Sequence, residues 1–160
     1  MKQSTLAAWL KAIIIGLGIC GLLLFGIVMP IAGHFIDQTY QQQFHNSFLF
    51  WLFFTWLAAI PCYAVLFFAW KVAVNIGKDQ AFSIQNAKFI KNISVLAAAD
   101  TAFFLLGNLI SLFFNMNHPA IILFSLFIMF IGIAISVAAF VLSHLIAKAQ
   151  QLQEQSDWTI

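Results

Sequence analysis

The sequence predicts an all-α integral membrane protein, a bundle of four transmembrane helices with N- and C-termini in the cytoplasm. Three observations carry this. Only 8% of the 160 residues are charged and 63% are hydrophobic, against roughly 25% charged in a soluble domain. Four apolar runs reach the roughly 17–25 residues that a crossing helix needs; they fall near 12–34, 47–71, 93–115 and 119–143. All seven basic residues are lysines: Lys2, Lys11, Lys71, Lys78, Lys88, Lys91 and Lys148. Each lies before the first run, between the second and third, or after the fourth, and the connections at 35–46 and 116–118 carry none. Positive residues are retained on the cytoplasmic side, so both ends and the 72–92 loop are expected there. None of the runs alternates with period two, which argues against a transmembrane barrel. At this size a single domain, 1–160, is the natural unit.

The first run follows Lys2 and Lys11, as a secretory signal would. It is long for a signal core, and "MPIAGHF" lacks the small residue three before Ala32 that cleavage would use, so an uncleaved anchor is expected. Ala8, Ala12, Gly16 and Cys20 stand four apart on one face of it. Gly132, Ser136, Ala139, Ser143 and Ala147 form a comparable face on the fourth run. Small residues let helices approach closely, so these two are expected to pack on each other or across a homo-oligomer.

Pro61 removes a backbone donor inside the second run and predicts a bend there. Trp9 and Trp70 at the inner boundary, and Trp51 and Tyr40 at the outer one, suit headgroup depth.

Between the second and third runs lies "AFSIQNAKFIKNIS", 81–94, the least lipid-like stretch of the chain. Ser83 is a helix N-cap that can accept from the amides of Gln85 or Asn86. No Gly or Pro interrupts the chain from Ile84 to Gly107, so the third helix should begin about six residues, roughly 9 Å, before the lipid. Gln85, Lys88 and Asn92 share one face of that projection. The fourth helix should also project, through "SHLIAKAQQLQEQ", into a tail at 144–160. The two ends make a basic, amide-rich platform. Its lysines could equally serve only to fix topology and attract anionic lipid, each contributing about 1 kcal/mol.

Asp100 is the one acid well inside a run. A charge there costs about 3 kcal/mol or more, so it should face the bundle or water. Asn108, Ser111 and Asn115 follow on nearly the same face. This polar stripe reads either as an ion or proton path or as interhelical hydrogen bonding, worth about 0.6 kcal/mol per contact.

Cys20 and Cys62 fall at similar depth in adjacent helices, where buried thiols usually act as small apolar groups. His34, His45 and His118, with Asp37, gather on the outer side, but their spacing matches no helix-face zinc pair. No metal and no cofactor is expected. There is no phosphate loop, nucleophile elbow or His-Glu-x-x-His, so no enzyme activity is expected, nor direct nucleic-acid binding.

Two passages resemble the bacterial membrane proteins of domain of unknown function 2975. "GKDQAFSIQNAKFIKNIS" is similar to that family's G-x-P-F-(S/T)-x-(E)-N-x-x-x-(L)-(R/K)-x-I loop. "AKAQQLQEQSDWTI" is similar to its A-x-x-L-x-E-(E/Q)-x-D-L-T-(I/V) tail. Ala81 stands where the family often has Pro, and Trp158 where it often has Leu. The resemblance implies no enzyme activity. It implies a bacterial inner-membrane protein often encoded beside a small helix-turn-helix regulator of the Xre type. A docking face would then run from Phe82 to Asn92, through Ser83, Asn86, Lys88 and Lys91, and along the tail from Gln150 to Ile160. Glu154 and Asp157 would pair with the regulator's basic surface, and Phe82, Trp158 and Ile160 would supply apolar anchors. Two other functions stay open: a small transporter or channel subunit using the Asp100 stripe, and a structural or immunity-type membrane protein.

Overall fold

The computed structural model describes residues 3–39, 48–114 and 119–157. Every regular element among them is helical. In lipid each backbone donor and acceptor must be satisfied within the chain, and a helix does this locally. The first span consists of α1 (Gln3–Leu23), a π-helical segment (Leu24–Val28) and α2 (Met29–Thr39). The others are α3 (Phe48–Ile76), α4 (Ile84–Phe113) and α5 (Pro119–Asp157). All four spans are long and apolar enough to cross a membrane.

The helices outrun the apolar stretches at the lysine-bearing end. α1 begins at Gln3 and α5 continues to Asp157. Lipid defines only the apolar part; Ala, Leu, Lys, Gln and Glu are strong helix formers and carry the helix past it. Pro61 sits inside α3 without ending it. Trp9 and Trp70 are exposed at the lysine-bearing end, where the Lys11 ammonium lies 5.6 Å from the Trp70 ring centroid.

Each span packs on its neighbours in sequence: the first on α3, α3 on α4, and α4 on α5. Among the described residues the first span makes no close backbone approach to α4 or α5. Within one chain, the first and fourth helices therefore do not pack on each other as one of the two expected pairings had it. Ala8, Ala12, Gly16 and Cys20 are all exposed, and nothing lies within 4 Å of where a Cβ on Gly16 would stand. The small residues of α5 face α4 instead.

The α4–α5 contact is a close, polar-stitched one. Ser94 Oγ donates to the Ser136 carbonyl at 2.8 Å, and Ser136 Oγ donates back to the Ser94 carbonyl at 3.0 Å. Ser143 Oγ donates to the Ala87 carbonyl at 2.7 Å. A Cβ on Gly132 would overlap Thr101 Oγ1, so only glycine allows that approach. Ala87, Ile90 and Ile146 form the buried apolar cluster beside these bonds, with Val72 of α3 against it.

The α3–α4 joint is aromatic. The buried Phe54 ring stacks on Phe103 at 4.8 Å and tilts against Phe104 at 5.2 Å. It lies directly over Gly107, where a Cβ would overlap the ring. Helix α1 meets α3 through Tyr63, whose hydroxyl donates to the Gly18 carbonyl at 3.0 Å.

Candidate functional site

Asn86 organises the connection between α3 and α4. Its side chain is fully buried, at 0% exposure. Its Oδ1 accepts from Asn75 Nδ2 at 2.9 Å, and its Nδ2 donates to the carbonyls of Gln80 and Ala81, each at 3.1 Å. One amide thus ties the end of α3, the loop and the start of α4 together. The backbone closes the same turn: the Asn75 carbonyl accepts from Lys78 N and Gln80 N at 3.1 and 3.0 Å. Asp79 turns the chain at φ 60°, a left-handed conformation that Asp tolerates better than most residues. The Ser83 hydroxyl accepts from Asn86 N at 3.2 Å and caps α4.

Because Ser143 reaches the Ala87 carbonyl, the locked loop is also pinned to α5. Asn86, named from the sequence among contact residues, is therefore inside the structure. Its part is to hold the loop. Ser83 is half-buried, while Phe82, Gln85, Lys88, Lys91 and Asn92 are exposed. Phe82 is 64% exposed beside the Ser83 cap, although nothing in the loop's own fold requires an aromatic side chain there.

Ser94 lies opposite Ser136, and Ala87 opposite Ser143, seven residues back along α4 and seven on along the antiparallel α5. At that register Ile84 faces the region of Ile146. α5 then runs on for about eleven residues, roughly 16 Å, beyond the start of α4. Gln151 to Gln155 are exposed on this projection. Glu154 accepts from Gln150 Nε2 one turn back at 3.1 Å. Asn115, Trp158 and Ile160 lie outside the described residues, as do Tyr40, His45 and His118; Asp37 and Asp157 are described in their backbone alone.

Lys71 is held rather than free. Its ammonium stands 4.4 Å from the Phe67 ring centroid and 5.4 Å from that of Phe89 on α4. A cation over ring faces is attracted by their negative quadrupoles, so Lys71 joins α3 to α4 at the boundary.

Among the described residues, Asp100, Asn108 and Ser111 each bond to a separate partner. Asp100 faces α3, where the Cys62 thiol donates to its Oδ2 at 3.6 Å. Its Oδ1 is buried with no hydrogen-bond partner among the described residues. Asn108 Nδ2 donates to the Phe104 carbonyl, and Ser111 Oγ to the Gly107 carbonyl, each at 2.8 Å and within α4. Cys20 and Cys62 are free thiols. No group of three metal-binding side chains occurs among the described residues.

Sequence reasoning missed Asn75, Ser94 and the Cys62–Asp100 pair. Asn75 carried a signal, since an amide at a helix end two residues before glycine is a common turn former. The other two depend on which faces meet.

The loop and tail geometry can be set beside known proteins. Residues 32–160 match the family described as "Protein of unknown function (DUF2975)". The chain belongs to that family. It is also similar to the "Uncharacterized membrane protein YoaS" of Bacillus subtilis (strain 168), with 27% identity over 163 residues and 99% of each chain covered. No solved structure matches. The family match takes in both the locked loop and the projecting end of α5.

Proposed function

We propose that this DUF2975 member is a non-enzymatic, multi-pass protein of the bacterial inner membrane. In this reading its lysine-bearing face is cytoplasmic and holds a small helix-turn-helix transcription regulator away from DNA. One observation carries the reading: an exposed aromatic residue, Phe82, stands on a loop made rigid from beneath by the buried Asn75–Asn86 pair. A loop that only turns the chain needs neither. A rigid, exposed aromatic contributes contact area at low entropic cost, as interface anchors do. The projecting end of α5 sets exposed Glu154 and Leu152 on the same end of the molecule. An acidic, partly apolar helix end suits the basic surface with which a helix-turn-helix protein meets DNA.

The test is capture of the helix-turn-helix protein encoded beside this chain. The detergent-solubilised protein would be compared with Phe82→Ala and with a deletion of 151–160. Capture by the wild type, weakened about tenfold or more by either change, supports the reading. Equal capture by all three, or none by the wild type, overturns it.

A transporter or channel reading rests on Asp100 Oδ1, which has no hydrogen-bond partner among the described residues, in an acid placed where lipid makes it costly. Its test is flux in proteoliposomes with Asp100→Asn.

A further inference from the structure

Two of the described lysines differ from the others. Lys78, Lys88, Lys91 and Lys148 are exposed, while Lys11 on α1 and Lys71 on α3 are half-buried. Both half-buried ammonium groups lie against aromatic rings. Lys11 is 5.6 Å from the Trp70 ring centroid, and Lys71 is 4.4 Å from that of Phe67, with Phe68 and Phe89 at 6.0 and 5.4 Å. Trp70 and Phe67 stand three residues apart on α3, so their side chains are neighbours on one helix face. That face looks outward, with Phe67 56% and Trp70 37% exposed. The two cations therefore sit on adjoining rings of one outward aromatic patch at the lysine-bearing boundary.

The direction taken by Lys71 is informative. A lysine at a membrane boundary ordinarily extends its stem so that the ammonium reaches water. α3 runs from the lysine-free end toward the lysine-bearing end, and side chains on a helix lean toward its N-terminus, here toward the lipid interior. Lys71 follows that lean and rests on Phe67, a residue one turn deeper than its own backbone.

Ring faces attract a cation but carry no net charge. Among the described residues neither ammonium has a carboxylate or a hydrogen-bond partner. Asp100 is bound to Cys62, nine residues deeper along α3 than Lys71, and Asp79 lies in the loop past the end of α3. A charge drawn partly out of water is costly unless it is paired. At this depth the anion that the surroundings supply is the phosphate of a phospholipid, and basic pockets between helices at a membrane face hold such headgroups.

We propose that Lys11, Phe67, Trp70 and Lys71 form a binding site for the headgroup of one anionic phospholipid in the leaflet at the lysine-bearing end. The phosphodiester oxygens accept from both ammonium groups, and the start of the acyl chains covers the exposed Phe67 ring. Two cations without a protein counter-charge call for a lipid with net negative charge; a zwitterionic headgroup brings its own ammonium, which neutralises the phosphate. Because the two lysines belong to different helices, the lipid bridges α1 and α3. The site is separate from the loop and tail and does not depend on the function proposed for them.

The test is native mass spectrometry of the full chain in detergent, titrated with phosphatidylglycerol or with phosphatidylcholine. The wild type should bind its first phosphatidylglycerol about tenfold or more tightly than phosphatidylcholine, the effect of two lysines near one anionic headgroup. Lys11→Gln and Lys71→Gln should each weaken phosphatidylglycerol binding about fivefold, the share of one lysine, and leave phosphatidylcholine unchanged. Lys78→Gln and Lys148→Gln remove the same charge from exposed positions, where solvent and salt screen it, and should change binding by less than about twofold. Equal losses in all four variants overturn the site, because the lipid would then respond to net charge alone. Equal binding of the two lipids by the wild type also overturns it. Displacement of phosphatidylglycerol by an equal concentration of inorganic phosphate would show a site for a soluble anion and overturn the assignment to lipid. If Lys71→Gln fails to fold, Lys11→Gln on the other helix decides: a selective loss supports the site and an unchanged affinity overturns it.

Discussion

Replacing Asn86 by Ala should be among the costliest single changes at the lysine-bearing end of the bundle. The substitution removes three side-chain hydrogen bonds from a residue with no solvent exposure. What remains decides the size of the effect. The Asn75 amide is buried and loses its acceptor, and the Ala81 carbonyl is in a half-buried residue. Gln80 is exposed, so its carbonyl can recruit water at little loss. A buried group left unpaired costs about 1–3 kcal/mol. One full and one partial orphan, plus the small bond lost at Gln80, come to roughly 2–4 kcal/mol by the same measure. With the slope of a 150-residue soluble domain, the melting temperature should fall by roughly 5–15 °C. Thermal unfolding in detergent, followed by tryptophan fluorescence, measures this. Trypsin cleavage after the exposed Lys78 measures the loop itself and should become several-fold faster. Asn86→Asp is an informative companion. It keeps an acceptor for Asn75 but sets an oxygen against the Gln80 and Ala81 carbonyls, so it should be at least as unstable as the alanine variant. Unchanged melting and unchanged cleavage in Asn86→Ala would refute the claim that this amide locks the loop.

Three further outcomes follow from the packing. Gly107→Ala places a methyl group into the Phe54 ring; overpacking of this kind costs about 1–3 kcal/mol, and trimming the ring with Phe54→Leu should recover part of the loss in a melting series. Ser136→Ala removes one bond of the reciprocal pair but leaves Ser94 Oγ on the Ser136 carbonyl, so it should cost only about 0.6 kcal/mol, the average for hydrogen bonds within membranes. Asp100→Asn keeps an oxygen for the Cys62 thiol at equal size; if the acid serves packing, stability should change by less than about 1 kcal/mol, whereas loss of flux at unchanged stability would favour transport.

The extent of the helices was open to sequence reasoning at the ends where chemistry is local. The cap at Ser83 is a property of a few adjacent residues, and it stands where the spacing placed it. The four spans are likewise visible as apolar runs, because lipid demands length and apolarity without regard to neighbours. The choice of partner helices was not visible. Ala8, Ala12, Gly16 and Cys20 look as suited to close packing as Gly132, Ser136 and Ser143, yet only the second set meets another helix among the described residues. In an apolar solvent a small-residue face is permission to approach, not a driving force. What selects the partner is a matching surface, such as Thr101 beside Gly132 or the Phe54 ring beside Gly107, and those residues are distant in sequence.

The lysine pattern, the apolar runs and the cap were determined by the sequence alone, since each follows from local composition and the solvent it must meet. Tertiary structure decided the rest. It buried Asn86 and left Phe82 in the open, gave Asp100 a thiol for a neighbour, and brought the Trp56 indole N–H of α3 to the Phe25 carbonyl of the first span. Each of these is the satisfaction of a polar group by one far along the chain. A hydrogen bond needs an angle and a distance near 3 Å, and only the folded chain brings such distant groups within that reach.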